Sequence, residues 1–168
     1  MVLQFTKRIS KAFIPFLSGI FVLGALFQFV GTKIDEQRFP PIGRLVDVGG
    51  YRLHINVTGK NDLLADGTTV VLDAGMGCNC LDWALVQPEI ARMARVVSYD
   101  RAGYGWSDDS PLPRTSENIA YELHTLLQNA GMKPPYILVG HSFGGLNTRV
   151  FEQLYPDEVK AVVLVDAA

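Results

Sequence analysis

Cysteine and histidine are scarce in this chain: among 168 residues there are two of the first and three of the second. Cys78 and Cys80 form a lone C-x-C with no second pair and no histidine cluster nearby, short of the four ligands a structural zinc site needs. They read as free, buried or partly buried thiols, no metal is expected, and the redox compartment stays open. An excess of one charge is lacking too. Lys and Arg number 15 against 17 Asp and Glu, a net charge of −2, which removes the general electrostatic reason to expect nucleic acid as a partner. No internal repeat or low-complexity tract occurs, and an apolar content of 48% over this length allows one domain with a real core.

Charge is missing altogether from one long run. Residues 12–30, AFIPFLSGIFVLGALFQFV, carry only Ser18 and Gln28 as polar residues, and as a helix they would span about 28 Å, close to a bilayer's hydrocarbon thickness. A core helix of this length would show a polar face. The run is expected to be a transmembrane helix, with a cleaved signal peptide as the alternative. Residues 1–11 form a basic segment before it, with Lys7, Arg8 and Lys11. Lys33, Arg38 and Arg44 follow, so the positive-inside rule gives only a slight preference for a cytoplasmic N-terminus with the domain on the far side. Residues 31–44 read as a polar, proline-stiffened linker, and the folded domain is expected over 45–168.

From Leu45 the pattern is regular. RLVDVGGYRLHINVTG is a hairpin around Gly49-Gly50. TVVLDAG is a strand buried on both faces, followed by an expected helix from about Leu81 to Met93 and a strand over 95–100. SENIAYELHTLLQNAG is a helix with Ser116 as its expected N-cap, an apolar face of Ile119, Leu123, Leu126, Leu127 and Ala130, and a terminating Gly131. YILVG is a strand, GGLNTRVFEQLYP a helix stopped by Pro156, and KAVVLVDAA a final strand. A hairpin followed by alternating strands and helices predicts an α/β domain with a mostly parallel sheet.

Within that frame Gly140-His141-Ser142-Phe143-Gly144 is a G-x-S-x-G at a strand end that opens a helix. Flanking glycines let strand and helix approach closely, and a hydroxyl at a helix N-terminus stands among free amides that favour a developing anion. A phosphate-binding loop would need Lys followed by Ser or Thr where this chain has Leu146-Asn147. Gly103-x-Gly105 meets Ser110-Pro111 and Pro113 where a dinucleotide-binding helix should begin. No organic cofactor is expected.

Three stretches in this order, LDAGMG, SYDRAGYGWSD and VGHSFGGL, resemble the α/β-hydrolase superfamily, and the likeness runs from about Leu45 to the end. The resemblance implies a mostly parallel sheet of the α/β-hydrolase type, incomplete at its C-terminal edge, preceded by one transmembrane helix. It implies Ser142 as nucleophile and the backbone N–H groups of Met76 and Phe143 as the oxyanion hole. Ala74 stands where the family often has His, a change that leaves the backbone donor intact. Asp100 and Arg101 are implied to pin the loop beneath the site, against a solvated Asp–Arg pair. A serine nucleophile sets the chain apart from the aspartate-dependent epoxide hydrolases and haloalkane dehalogenases.

A serine triad also needs an imidazole base and an acid, which the family supplies after the serine. No histidine follows Ser142. His54 lies on the second strand, His124 on a helix flank, and His141 precedes the serine with its ring expected to point away from the hydroxyl. Asp166, ending the last strand, is a candidate acid. The expectation is the catalytically incomplete N-terminal half of a membrane-tethered, esterase-like serine hydrolase acting on a small-molecule ester or related acyl substrate. The alternative is a non-catalytic module of the same fold that binds a ligand or partner.

Overall fold

A computed structural model describes residues 2–60 and 67–167, in two units that meet between Pro40 and Pro41. The first is one helix, α1 (Val2–Arg38). Its stretch Phe13–Arg38 is long and apolar enough to cross a membrane, eighteen of its residues in a row averaging a hydropathy of 2.1, and every side chain over residues 13–30 is exposed. Lys7, Arg8 and Lys11 lie on α1, but their side chains are outside the described residues. Residues 31–38, expected as linker, are helical instead. Lys, Glu and Gln are good helix formers, Lys33 and Glu36 pair one turn apart at 2.6 Å, and the helix gives way only before Pro40-Pro41. Because the helix begins at Val2, Pro15 sits about three and a half turns in, where it removes an interior hydrogen bond.

The second unit is a six-stranded sheet with β1 (Arg44–Asp47), β2 (Arg52–Thr58), β3 (Thr69–Asp73), β4 (Arg95–Tyr99), β5 (Tyr136–His141) and β6 (Val159–Val165) in the order β1-β2-β4-β3-β5-β6. β1 and β2 run antiparallel as a hairpin, β2 pairs antiparallel with β4, and β3 to β6 are parallel. The hairpin turn is of the expected kind: Gly49 and Gly50 both have positive φ, 124° and 95°, and Asp47 accepts from both amides.

The apolar runs of the central strands serve two cores. Val71 of β3 with Val97 and Tyr99 of β4 face a cluster containing Leu123, Leu126, Leu127 and Phe151, while Val70, Leu72 and Val96 face Trp83 and Ala94 on the other side. All five expected apolar positions of α3 (Ser116–Asn129) and its terminus are buried. Its N-cap is Thr115 rather than Ser116, because Thr115 is extended (φ −88°, ψ 156°) and its hydroxyl accepts from the Asn118 N–H, whereas Ser116 is already helical. Gly131, at φ 76°, closes the helix in a Schellman arrangement, with its own N–H on Gln128 and the Met132 N–H on Leu127.

The helix expected over 81–93 is two short pieces, a 3₁₀ turn Cys80–Trp83 and α2 (Gln87–Ile90). Pro88 explains the break: it lacks an N–H, its ring would press on the carbonyl of residue 84, and it is tolerated only in a helix's first turn. Asn79 and Asp82 form a reciprocal capping box that fixes the 3₁₀ turn.

Candidate active site

β5 ends at His141 and α4 (Phe143–Leu154) begins at Phe143, so the chain reverses at Ser142 alone. Ser142 has φ 50° and ψ −120°, a backbone that costs a non-glycine residue about 1–3 kcal/mol and persists only where its surroundings impose it. Close packing imposes it here. A Cβ on Gly140 would stand 2.5 Å from the Gly145 Cα, one on Gly144 2.3 Å from the Asp73 carbonyl oxygen, and one on Gly145 2.3 Å from the Ala167 Cβ. The Ser142 N–H donates to Val165 at the end of β6 (3.1 Å), tying the turn to its neighbour strand. Ser142 itself is exposed, and its hydroxyl makes no capping bond to the start of α4.

Facing this turn is the loop after β3. The Cys78 N–H donates to the Gly75 carbonyl at 3.2 Å and Gly77 has φ 77°, the pattern of a type II turn with Met76 at its first corner. Among the described residues neither the Met76 N–H nor the Phe143 N–H, first in α4, has a protein acceptor. The side chains of Met76 and Phe143 border one cavity of about 150 Å³ with Arg101, Tyr104, Arg114 and Ile119. A second, of about 240 Å³, is lined by Ala74, Asp82, Trp83, Val86, His141 and Val165.

Two buried carboxylates lie under these loops. Asp73, last in β3, receives Arg101 Nη1 at 2.5 Å and Asn147 Nδ2 at 3.3 Å. Burial pushes its carboxyl above the usual carboxylate range, against the opposing pull of Arg101, Tyr99 and Asn147. Asp100, just past β4, accepts from the Cys80 N–H at 2.8 Å, the Trp106 N–H at 3.1 Å and His54 Nδ1 at 3.0 Å. Burial works to raise it, yet the bonds from His54, Cys80 and Trp106 hold it below that range. Asp100 and Arg101 are therefore not a solvated pair. Each is buried and bonded to a different part of the loops.

His54, Cys80 and Asp100 bring three potential ligand atoms within 4.8 Å of one another. Their hydrogen bonds assign them a different role. His54 Nε2 accepts from the Gly43 N–H at 3.1 Å, so Nδ1 carries the ring proton and donates a hydrogen bond to Asp100; a cation on Nδ1 would force the proton onto Nε2 and break the Gly43 bond. Burial first, and then Asp100, push the Cys80 thiol far above its ordinary value. Both cysteines are free, as expected.

Neither of the other histidines is bonded to Ser142. His124 stacks on Tyr155 at 3.8 Å and meets Glu158 at 3.0 Å. His141 turns toward Gly75 and packs edge-on against Trp83, with centroids 6.5 Å apart. Asp166 lies exposed at the end of β6, with φ 45°, and no ion pair joins it to a histidine among the described residues. Asp73 and Asn147 went unnoticed in the sequence. The only signal was an acid closing an otherwise apolar strand; Asn147 gave none.

The chain matches the alpha/beta hydrolase fold family over residues 68–168. It is 35% identical over 104 residues to the uncharacterized protein YqjL of Bacillus subtilis, covering 62% of this chain and 41% of that one. It is 32% identical over 107 residues to a (lyso)-N-acylphosphatidylethanolamine lipase of Bos taurus, covering 61% of this chain and 31% of the lipase. A thermophilic esterase from Thermogutta terrifontis superposes with a TM-score of 0.65 at 26% identity, over 74% of this chain and 45% of the esterase. The chain thus spans less than half the length of each. With a matched segment covering more than half of its residues, and with the sheet order and strand-to-helix turn described above, this chain belongs to the alpha/beta hydrolase fold family.

Proposed function

We propose that the domain belongs to a serine hydrolase in which Ser142 attacks an acyl carbonyl and the Met76 and Phe143 N–H groups receive the oxyanion. The observation that carries this reading is the backbone of Ser142: a strained, exposed serine held at the N-terminus of a twelve-residue helix, opposite an unbonded amide on the neighbouring loop. Strain of this kind is retained where it positions a reacting group, and amides without acceptors stabilise the negative charge of a tetrahedral intermediate. The cavity beside Met76 and Phe143 would take part of the substrate, a small-molecule ester or related acyl compound.

His54 has both ring nitrogens occupied, and His124 and His141 have other partners, so the proposed general base is an imidazole other than these three. Asp166 remains a candidate acid only if that imidazole reaches it. The absence of a base on Ser142 equally favours a second reading, a module of the same fold that binds a ligand without turning it over. A fluorophosphonate probe on the protein isolated from its own cells separates the two. Labelling that disappears in Ser142→Ala supports the hydrolase, and an unlabelled wild type supports the binding module.

α1 is proposed to be a single membrane anchor with a cytoplasmic N-terminus and the domain on the far side. Its exposed apolar surface over residues 13–30 supports the anchor. The protein is expected to stay with membranes through alkaline carbonate extraction. A soluble product starting after about residue 24 to 31 would instead identify a cleaved signal.

A further inference from the structure

We infer that Arg101 is the positioning residue for the oxyanion hole, acting through the peptide plane that carries the Met76 N–H. This rests on the proposed role of Ser142, and four contacts support it. Arg101 is buried, and its Nη2 donates to the Gly75 carbonyl oxygen. That carbonyl and the Met76 N–H belong to one rigid peptide unit and point in opposite directions, so a donor fixed on the oxygen fixes the direction of the N–H. Nη1 donates to the preceding carbonyl, of Ala74, at 2.6 Å, which fixes the plane before it as well. The guanidinium carbon lies 5.6 Å from the centre of the Phe143 ring, so the residue carrying the other amide packs on the same cation.

The arrangement also polarises. A cation on the Gly75 oxygen draws electron density through the amide and makes the Met76 N–H a stronger donor, as in any hydrogen-bonded chain. Asp73 holds Arg101 in this pose from the end of β3. Lysine in its place could keep the charge but not the fork that reaches Asp73, Ala74 and Gly75 together.

The test is a set of labelling rates with a fluorophosphonate, whose phosphoryl oxygen would occupy the oxyanion position, on the protein isolated from its own cells. Arg101→Lys is expected to slow the bond-forming step about 10- to 100-fold while initial binding changes less than about threefold; removing one oxyanion donor outright costs on the order of 10² to 10³. Met76→Pro deletes the N–H at a turn corner that favours proline and is expected to slow labelling by a similar factor. The decisive variant is the double one. If Arg101 works through the Met76 N–H, Arg101→Lys adds little once that N–H is gone, whereas a purely structural role would multiply the two losses. Should Arg101→Lys fail to fold, Asp73→Asn with Arg101→Gln removes both buried charges together and is compared with Met76→Pro in the same way. Multiplying losses, or Arg101→Lys labelling at the wild-type rate, overturns the inference and leaves Ser142 as nucleophile. A wild type that does not label overturns both.

Discussion

Asp73 ends β3 and Asp100 directly follows its parallel neighbour β4; both have no solvent exposure, and they are tuned in opposite directions. Asp100 is bound by backbone amides and by the imidazole of the hairpin strand, so its bonds join three segments: β2, the 3₁₀ turn and the loop after β4. Asp73 is bound by side chains, an arginine and an asparagine, and its carbonyl lies against the serine turn. One carboxylate organises the chain around itself. The other holds a cation whose remaining bonds reach the candidate site. A buried acid that secures loops gains from being ionised, and one that seats an arginine needs only its partner.

The contrast is tested most severely by Arg101→Leu, which strands a buried acid beside α4. Loss of one partner from a buried pair costs about 3–5 kcal/mol, and adding Asp73→Asn is expected to return much of it. Urea unfolding of the full chain in detergent measures both, and equal instability of the single and double variants would show that the charge of Asp73 is not what Arg101 balances.

Next come the glycines that each acid presses against. A Cβ at Gly144 meets the Asp73 carbonyl oxygen at 2.3 Å, and one at Gly105 meets the Asp100 carboxylate at 2.3 Å. Backbone in the middle of a parallel sheet cannot give way, so Gly144→Ala is expected to cost about 3 kcal/mol or more. Gly105→Ala, at φ 52° and against a side chain, is expected to cost about 1–3 kcal/mol. The reverse ranking in thermal melts would mean the Asp100 site is the stiffer of the two.

Asp100→Asn should cost about 1–3 kcal/mol near neutral pH, because one acceptor atom cannot serve all the donors. Its pH dependence carries the sign. With a folded-state value below the unfolded one, ionised Asp100 stabilises the fold above the ordinary carboxylate range near 4, and the contribution fades as pH falls through the lowered value. The gap in Tm between wild type and Asp100→Asn should therefore narrow below about pH 4. Asp73, shifted upward, works the other way, and its contribution is lost as pH rises from the ordinary carboxylate range near 4 through its own raised value. A gap that widens in acid would contradict the assignment of Asp100.

The smallest expected effect lies away from both acids. Thr115→Ala removes the α3 cap and should cost about 1 kcal/mol, whereas Ser116→Ala should change Tm by less than the spread between preparations.

The sheet was legible because strands buried on both faces must be continuously apolar and the helices between them show one apolar stripe. TVVLD, RVVSY and YILVG could hardly form anything else, and Gly49-Gly50 could only turn. The break at Pro88 and the helical run through Arg38 were misread for a local reason. A proline two residues into a short helix and one just past a long helix are the same signal in sequence, and hydrogen bonding decides between them. At the candidate site, Ser142 could be singled out because glycines at fixed spacing report a close approach of backbone.

Alternation of strand and helix, the apolar α1 and a serine set in a glycine turn all depend on neighbours along the chain, and residue order alone specifies them. Other features arise only where residues far apart in the chain meet. Arg101 could as well have faced water beside Asp100; that it turns to Asp73 and to the carbonyls of Ala74 and Gly75 follows from β3 and β4 lying side by side. His54 could have been a surface base, but the pairing of β2 with β4 places it against Asp100, and the Gly43 amide fixes its proton. Burial then does the rest, since a polar group removed from water takes whatever partner the fold brings within reach.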